Sequence, residues 1–190
     1  MAITFKELRR HLSRTVRLSI CFKEDMCYDN YLILSDIPEG KYDEMYVYGI
    51  GKIDVEFTKD VYSMPLDGSV PSGSYINGGM DILPALEIVL WDKPRTDVGT
   101  RKLEVPLLFG DIRKLLQIFG HISVVMLSDW SSEAFEERNV IPEKYNDHFV
   151  YGIGLEDDPM PDIIYKNHGS DTCGKKRIVV VLSKEQEKKI

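Results

Sequence analysis

The chain reads as an α+β protein made of two tandem copies of a helix–strand–strand–strand unit, with the helices packed on antiparallel or mixed sheet. Three observations predict this. The stretch from Ile37 to Gly51 recurs from Ile141 to Gly154, with ten of fourteen aligned positions identical once Gly40 is set aside as an insertion. Upstream, Phe5–Leu12 aligns without a gap on Phe109–Leu116, and Leu18–Phe22 on Ile122–Met126, at one offset of 104 residues. Runs rich in Val, Ile and Tyr, bounded by Gly, Pro, Asp and Asn, then supply the strands. A repeated segment of this length marks a repeated supersecondary unit.

The opening helix of each copy follows from spacing. At about 100° per residue, Phe5, Leu8 and Leu12 fall on one face, and Lys6, Arg9, Arg10 and Arg14 fall on the other. Phe109, Ile112, Leu116 and Phe119 continue the same apolar stripe in the second copy. Leu18–Phe22 and Ile122–Met126 come next as strands, followed by the Val-Tyr-Gly-Ile-Gly strand of each copy. The closing strand is Leu86–Trp91 in the first copy and Arg177–Leu182 in the second. Ile178 to Leu182 is apolar throughout, the mark of a strand buried on both faces. The long connections differ between copies. Residues 67–79 form a Gly/Ser loop, residues 92–100 are the linker, and the charged run after Lys184 is a fraying tail. The lobes are expected at 1–96 and 97–190, packed as a pseudo-dimer.

Composition bounds the rest. The 190 residues are 43% hydrophobic, enough for a core, and carry a net charge of −7 that is shared between the halves. That balance argues against general nucleic-acid binding, which needs a clustered positive field. It suits a basic protein partner instead. Three cysteines do not form a secreted disulfide framework. The start of the chain shows no signal-peptide pattern, and no apolar run reaches membrane-spanning length. A cytoplasmic protein without membrane attachment is expected.

Several clusters invite a chemical reading. Gly49-Ile50-Gly51 and Gly152-Ile153-Gly154 resemble a phosphate-cradling loop, but strand-like and acidic residues follow them where a helix is required. A β-bulge or tight bend accounts for them better. Glu156, Asp157, Asp158 and Asp162 offer oxygen ligands, yet Pro159 and Pro161 break any regular ligand spacing, so a solvated acidic loop is expected. His168, Ser170, Asp171, Thr172 and Cys173 crowd one short segment. Triad members usually come from separate elements, so a turn is expected there. Cys21 and Cys27 lack the spacing of a zinc knuckle, and Cys21 reads as a core thiol. His11, His121 and His148 are scattered singly. Tyr46 and Tyr48, like Phe149 and Tyr151, alternate along their strands and share a face, either core or an open aromatic platform.

The pattern Phe5-Lys6-Glu7-Leu8, Val16–Ile20, Leu34-Ser35-Asp36-Ile37-Pro38 and Val47-Tyr48-Gly49-Ile50 resembles small proteins carried by phages and conjugative elements of gut Firmicutes. The likeness covers about the first sixty residues. It is weaker in the second copy, where Asn139-Val140-Ile141-Pro142 replaces Asp-Ile-Pro. It transfers no catalytic residue. What it implies is context: small acidic proteins of such elements often bind and block host defence nucleases, anti-CRISPR and anti-restriction proteins among them.

The expected function is therefore non-catalytic binding of a protein partner, a nuclease in the first instance, with no cofactor and no metal. Asp43 and Glu44, Glu156 to Asp158, and Tyr48 and Tyr151 form the expected contact surface. The Lys6, Arg9, Arg10, Arg14 face is a solvated stripe or a dock for an acidic patch. Two alternatives stand beside this: a small hydrolase or metal enzyme using residues 157–173, and a module that self-associates into an oligomer.

Overall fold

The computed structural model describes residues 2–58, 80–95, 106–156 and 177–186. It is a mixed α/β protein of two four-stranded sheets and a few short helices. The first half runs α1 (Phe5–Arg9), β1 (Leu18–Phe22), β2 (Tyr28–Tyr31), β3 (Tyr46–Thr58) and β4 (Met80–Trp91). The second runs α2 (Phe109–Arg113), β5 (Phe119–Met126), β6 (Ser132–Glu137), β7 (Phe149–Leu155) and β8 (Ile178–Ser183). The sheet orders, β2-β1-β4-β3 and β6-β5-β8-β7, are the same. In each the central pair is parallel and the flanking pairs antiparallel.

Each half thus has a strand that hydrophobic patterning misses. β2 (Tyr-Asp-Asn-Tyr) and β6 (Ser-Glu-Ala-Phe-Glu-Glu) are edge strands with little apolar content, folded back by a hairpin. The hairpins share one device. Met26 and Trp130 both adopt φ 56°, in the left-handed region. The preceding Asp25 and Asp129 each accept a backbone N–H two residues on, from Cys27 and Ser131, at 3.0 Å. Such side-chain acceptors favour a turn over continued strand.

The closing strands match one residue away from the alignment read in the sequence. Leu86 lies beside Leu18, and Ile178 beside Ile122, so Leu86 corresponds to Ile178 rather than Arg177. Side chains alternate faces along a strand, so this single step decides which of them enter the core. β8 is buried at all six positions, as the apolar run from Ile178 to Leu182 predicts, with Ser183 buried beyond it.

The helices are shorter than the apolar stripe suggests. α1 ends at Arg9 and α2 at Arg113, before Leu12 and Leu116. Both helices are entered through a carboxylate: Glu7 accepts the Thr4 N–H at 2.8 Å, and Asp111 the Leu108 N–H at 3.1 Å. Five residues cannot sustain a helix alone. Past each one the backbone finds partners in the other half. Ser13 N–H donates to Ile153 O and Ile153 N–H to His11 O, at 2.8 and 2.7 Å. Gln117 N–H donates to Ile50 O and Ile50 N–H to Leu115 O, at 2.8 and 2.7 Å. Each half therefore lends a short segment to the other's Gly-Ile-Gly strand, the reciprocal pattern of an isologous contact.

One apolar cluster crosses this seam. It includes Phe5, Leu8, Ile20, Ile50 and Ile88 from the first half, and Phe109, Ile112, Ile122, Ile153 and Val180 from the second. The lobe boundary expected at 96/97 lies outside the described residues.

Candidate binding surfaces

The basic residues near α1 converge, though not by helical periodicity. Lys6 and Arg9 lie on the helix, Arg10 caps it, and Arg14 arrives from the following turn. Together with Leu12, Leu34 and Asp43 they line a groove of about 400 Å³. Arg9 is half-buried rather than solvated. Its guanidinium donates to Ile37 O at 2.8 Å and Pro38 O at 3.4 Å, tying the Asp-Ile-Pro turn to the helix. In the other half Arg113 donates to Ile141 O and, at 3.1 Å, to Asn146 Oδ1. Beside it lies a groove of about 290 Å³ lined by Arg113, Lys114, Arg138, Glu143 and Asn146 among others. There Arg138 is turned inward, donating to Lys114 O at 2.8 Å and Leu116 O at 2.7 Å.

Asp43 is therefore not part of a separate acidic loop; it forms one wall of the cationic groove. Glu44 is exposed beside it. Glu156 is half-buried and pairs with Arg177 at 3.8 Å. Asp157, Asp158, Asp162 and the His168–Cys173 segment lie outside the described residues. Among the described residues no group of three or more His, Cys, Asp or Glu is placed to hold a metal ion, and no helix is long and apolar enough to cross a membrane.

The tyrosines depart from simple alternation. The ladder shifts between Val47 and Gly49, and again between Val150 and Gly152, leaving Tyr48 and Tyr151 as the extra residues of two β-bulges. A bulge reverses the facing of everything after it. That is why Val47 and Ile50, three apart, both enter the core, as do Val150 and Ile153. The bulge expected at the glycines is present, and neither tyrosine is core. Tyr48 packs edge-on against Trp91 with centroids 5.1 Å apart, and Lys23 Nζ sits 4.0 Å from the first ring and 4.1 Å from the second. Tyr151 is 37% exposed. Tyr48 is thus sheathed by cations, while Tyr151 faces outward.

Two polar clusters escaped the sequence reading. Beneath the β1–β2 hairpin, Lys41 Nζ reaches Asp29 at 3.0 Å and the Tyr31 hydroxyl at 2.7 Å. The Tyr42 hydroxyl donates to Asp29 and lies 2.6 Å from that of Tyr31. Hydrogen bonds from Tyr42 and Lys41 hold the Asp29 carboxyl below its ordinary range, while burial and Asp29 push the Tyr42 phenol up. The second half repeats the pair as Lys144–Glu133 at 3.1 Å, with Tyr145 bonded to Glu133. Phe135 stands where the first half has Tyr31. On the other face of the first sheet, Cys21 is buried as expected, but next to polar groups. Its thiol is raised by burial, Glu87 is raised by burial as well, and the bond to Cys21 with burial moves the Tyr28 phenol to about 12. The signal for the first cluster was present in the sequence: the repeated Lys-Tyr of the turn, set against an acidic residue at Asp29 and again at Glu133.

Compared with known proteins, the chain matches no family model, no curated protein and no solved structure.

Proposed function

We propose that the chain is a tandem duplication of one helix-and-sheet unit, its helices packed on the sheets, and that it works as a non-catalytic binding protein. In this reading it belongs to a mobile element and acts in the cytoplasm. It blocks a host nucleic-acid-handling defence enzyme of the anti-CRISPR or anti-restriction target class by protein–protein contact.

The observation that supports a protein partner best is β6. This terminal strand of the second sheet carries Glu133, Glu136 and Glu137 among six residues, most of them exposed, and follows the exposed Asp129 of its hairpin. An outer strand edge offers unpaired backbone groups, and charge along it discourages pairing with copies of itself. A basic nucleic-acid channel has the complementary charge, which sets encounter rate and partner choice.

Pull-down from a bacterial lysate followed by mass spectrometry tests this, comparing the wild type with a Glu136→Lys/Glu137→Lys variant whose circular dichroism is unchanged. The wild type should retain a nucleic-acid-handling enzyme that duplex DNA displaces, and the variant should not. Equal retention by the variant, or retention indifferent to DNA, overturns the proposal. Light scattering over a concentration series tells partner binding from self-association.

A further inference from the structure

Among the described residues, four cations and one carboxylate line the groove beside α1, on a chain whose net charge is −7. Arg9 clamps the turn, and Arg113 performs the same task in the other half. Lys6 and Arg14 take no part in that clamp, and 104 residues on their counterparts are the uncharged Gly110 and Ile118. The second groove also uses up one of its cations internally, because Arg138 is committed to two backbone carbonyls. Helical repetition does not explain the surplus in the first half, since the helix stops at Arg9.

We propose that this groove binds a small molecule bearing a phosphate group. Lys6 and Arg14 hold the phosphate, and Leu12 and Leu34 lie against its organic part. Guanidinium forks match phosphate oxygens in geometry as well as charge. The groove's size falls within the roughly 300–1,000 Å³ of small-molecule sites. An extended nucleic acid fits less well. Its further phosphates would leave the groove and meet a chain of net charge −7, whereas one phosphate fits within about a Debye length, near 8–10 Å, of the cations. The segment carrying Arg10 and Arg14 also donates the Ser13 N–H to Ile153. Ligand on this segment therefore also steadies the seam between the halves.

Titration calorimetry and thermal melting of the full chain test the proposal. The probes are adenosine 5′-monophosphate, ribose 5-phosphate, inorganic phosphate, adenosine and a short oligothymidylate. The phosphate esters should bind and raise the melting temperature, inorganic phosphate should bind more weakly, and adenosine should not bind. Lys6→Gln and Arg14→Gln should each weaken binding by about 10-fold, the scale of one charge-assisted hydrogen bond. Lys114→Gln, in the other groove, should change it less than about 2-fold by the same scale. The proposal falls if no ester binds, if Lys6→Gln/Arg14→Gln binds as the wild type does, if inorganic phosphate binds as tightly as the esters, or if the oligothymidylate binds more tightly than the mononucleotide. None of these residues lies on β6, so this result and that of the pull-down are independent.

Discussion

Ile50 and Ile153 occupy matching places on the two sides of the seam, 1% and 0% exposed, each bonded through its backbone to the opposite half. Truncating either to Ala removes three carbons from a continuous core and costs about 2–5 kcal/mol. At about 3 kcal/mol, and roughly 2–4 °C per kcal/mol for a chain of this size, each variant should melt about 6–12 °C below wild type. The shared cluster adds a sharper expectation: both halves should lose stability together. The two tryptophans divide between the halves, Trp91 in β4 and Trp130 in the β5–β6 hairpin, so they report on each separately. In Trp130→Phe and Trp91→Phe backgrounds, urea unfolding followed by fluorescence should give one midpoint at both sites, and Ile153→Ala should lower both equally. If Ile153→Ala shifts the Trp130 transition and leaves that of Trp91 in place, the halves are separate cooperative units and the single-core reasoning is wrong.

Three further outcomes follow from the polar clusters and the turns. Tyr42→Phe should cost about 1–3 kcal/mol, because Asp29 and Tyr31 both lose a partner, and Tyr145→Phe less, because Phe135 needs none; urea midpoints measure the difference. Glu87 is raised by burial from its ordinary 4.5, so the folded state holds its proton more tightly than the unfolded chain does. Stability therefore falls as pH rises from that ordinary value through the raised one. Glu87→Gln should accordingly gain on wild type between pH 4 and pH 7, and an unchanged gap in urea midpoint would contradict this. At Gly110 an added Cβ meets Asn146 O at 3.1 Å, yet the matching Lys6 carries a side chain with its N–H 3.3 Å from Asp43 O, against 2.9 Å for Gly110 to Asn146. Gly110→Ala should thus lengthen that bond and change stability by less than about 1 kcal/mol in thermal melts, the helical gain over Gly offsetting the crowding.

The sequence revealed the strands that bury their side chains and concealed those that do not. β1, β4, β5 and β8 stand out because apolar side chains fill them, and the glycine pair marks each bulge. β2 and β6 are held by a hairpin and by Lys41–Asp29 or Lys144–Glu133, pairings that hydrophobic patterning does not register. The helix ends were misplaced for a related reason. Leu12 and Leu116 are buried as the stripe requires, but against the opposite half, where strand-like hydrogen bonds compete with the next helical turn. The cations of the groove beside α1 were identified and the placement of Arg14 misread, because it arrives from a turn where a helix face was expected.

The two halves give an internal comparison that separates scaffold from surface. Positions that hold the fold keep their chemistry across the offset: Glu7 and Asp111 at the helix entries, Arg9 and Arg113 on the turn, Asp25 and Asp129 in the hairpins, Lys41 and Lys144 beneath them. Each of these side chains makes the same kind of bond in both halves, to a backbone group or, for the two lysines, to the carboxylate of the edge strand. Where chemistry changes, several of the changes lie on surfaces: Lys6 against Gly110, Arg14 against Ile118 and Leu34 against Arg138 in the grooves, and Asn30 against Ala134 on the edge strands. The same backbone tolerates both residues at each of these places, so stability alone does not choose between them. A charge surplus gathered in one groove while its twin turns an arginine inward is what a scaffold used twice, for two different contacts, should show.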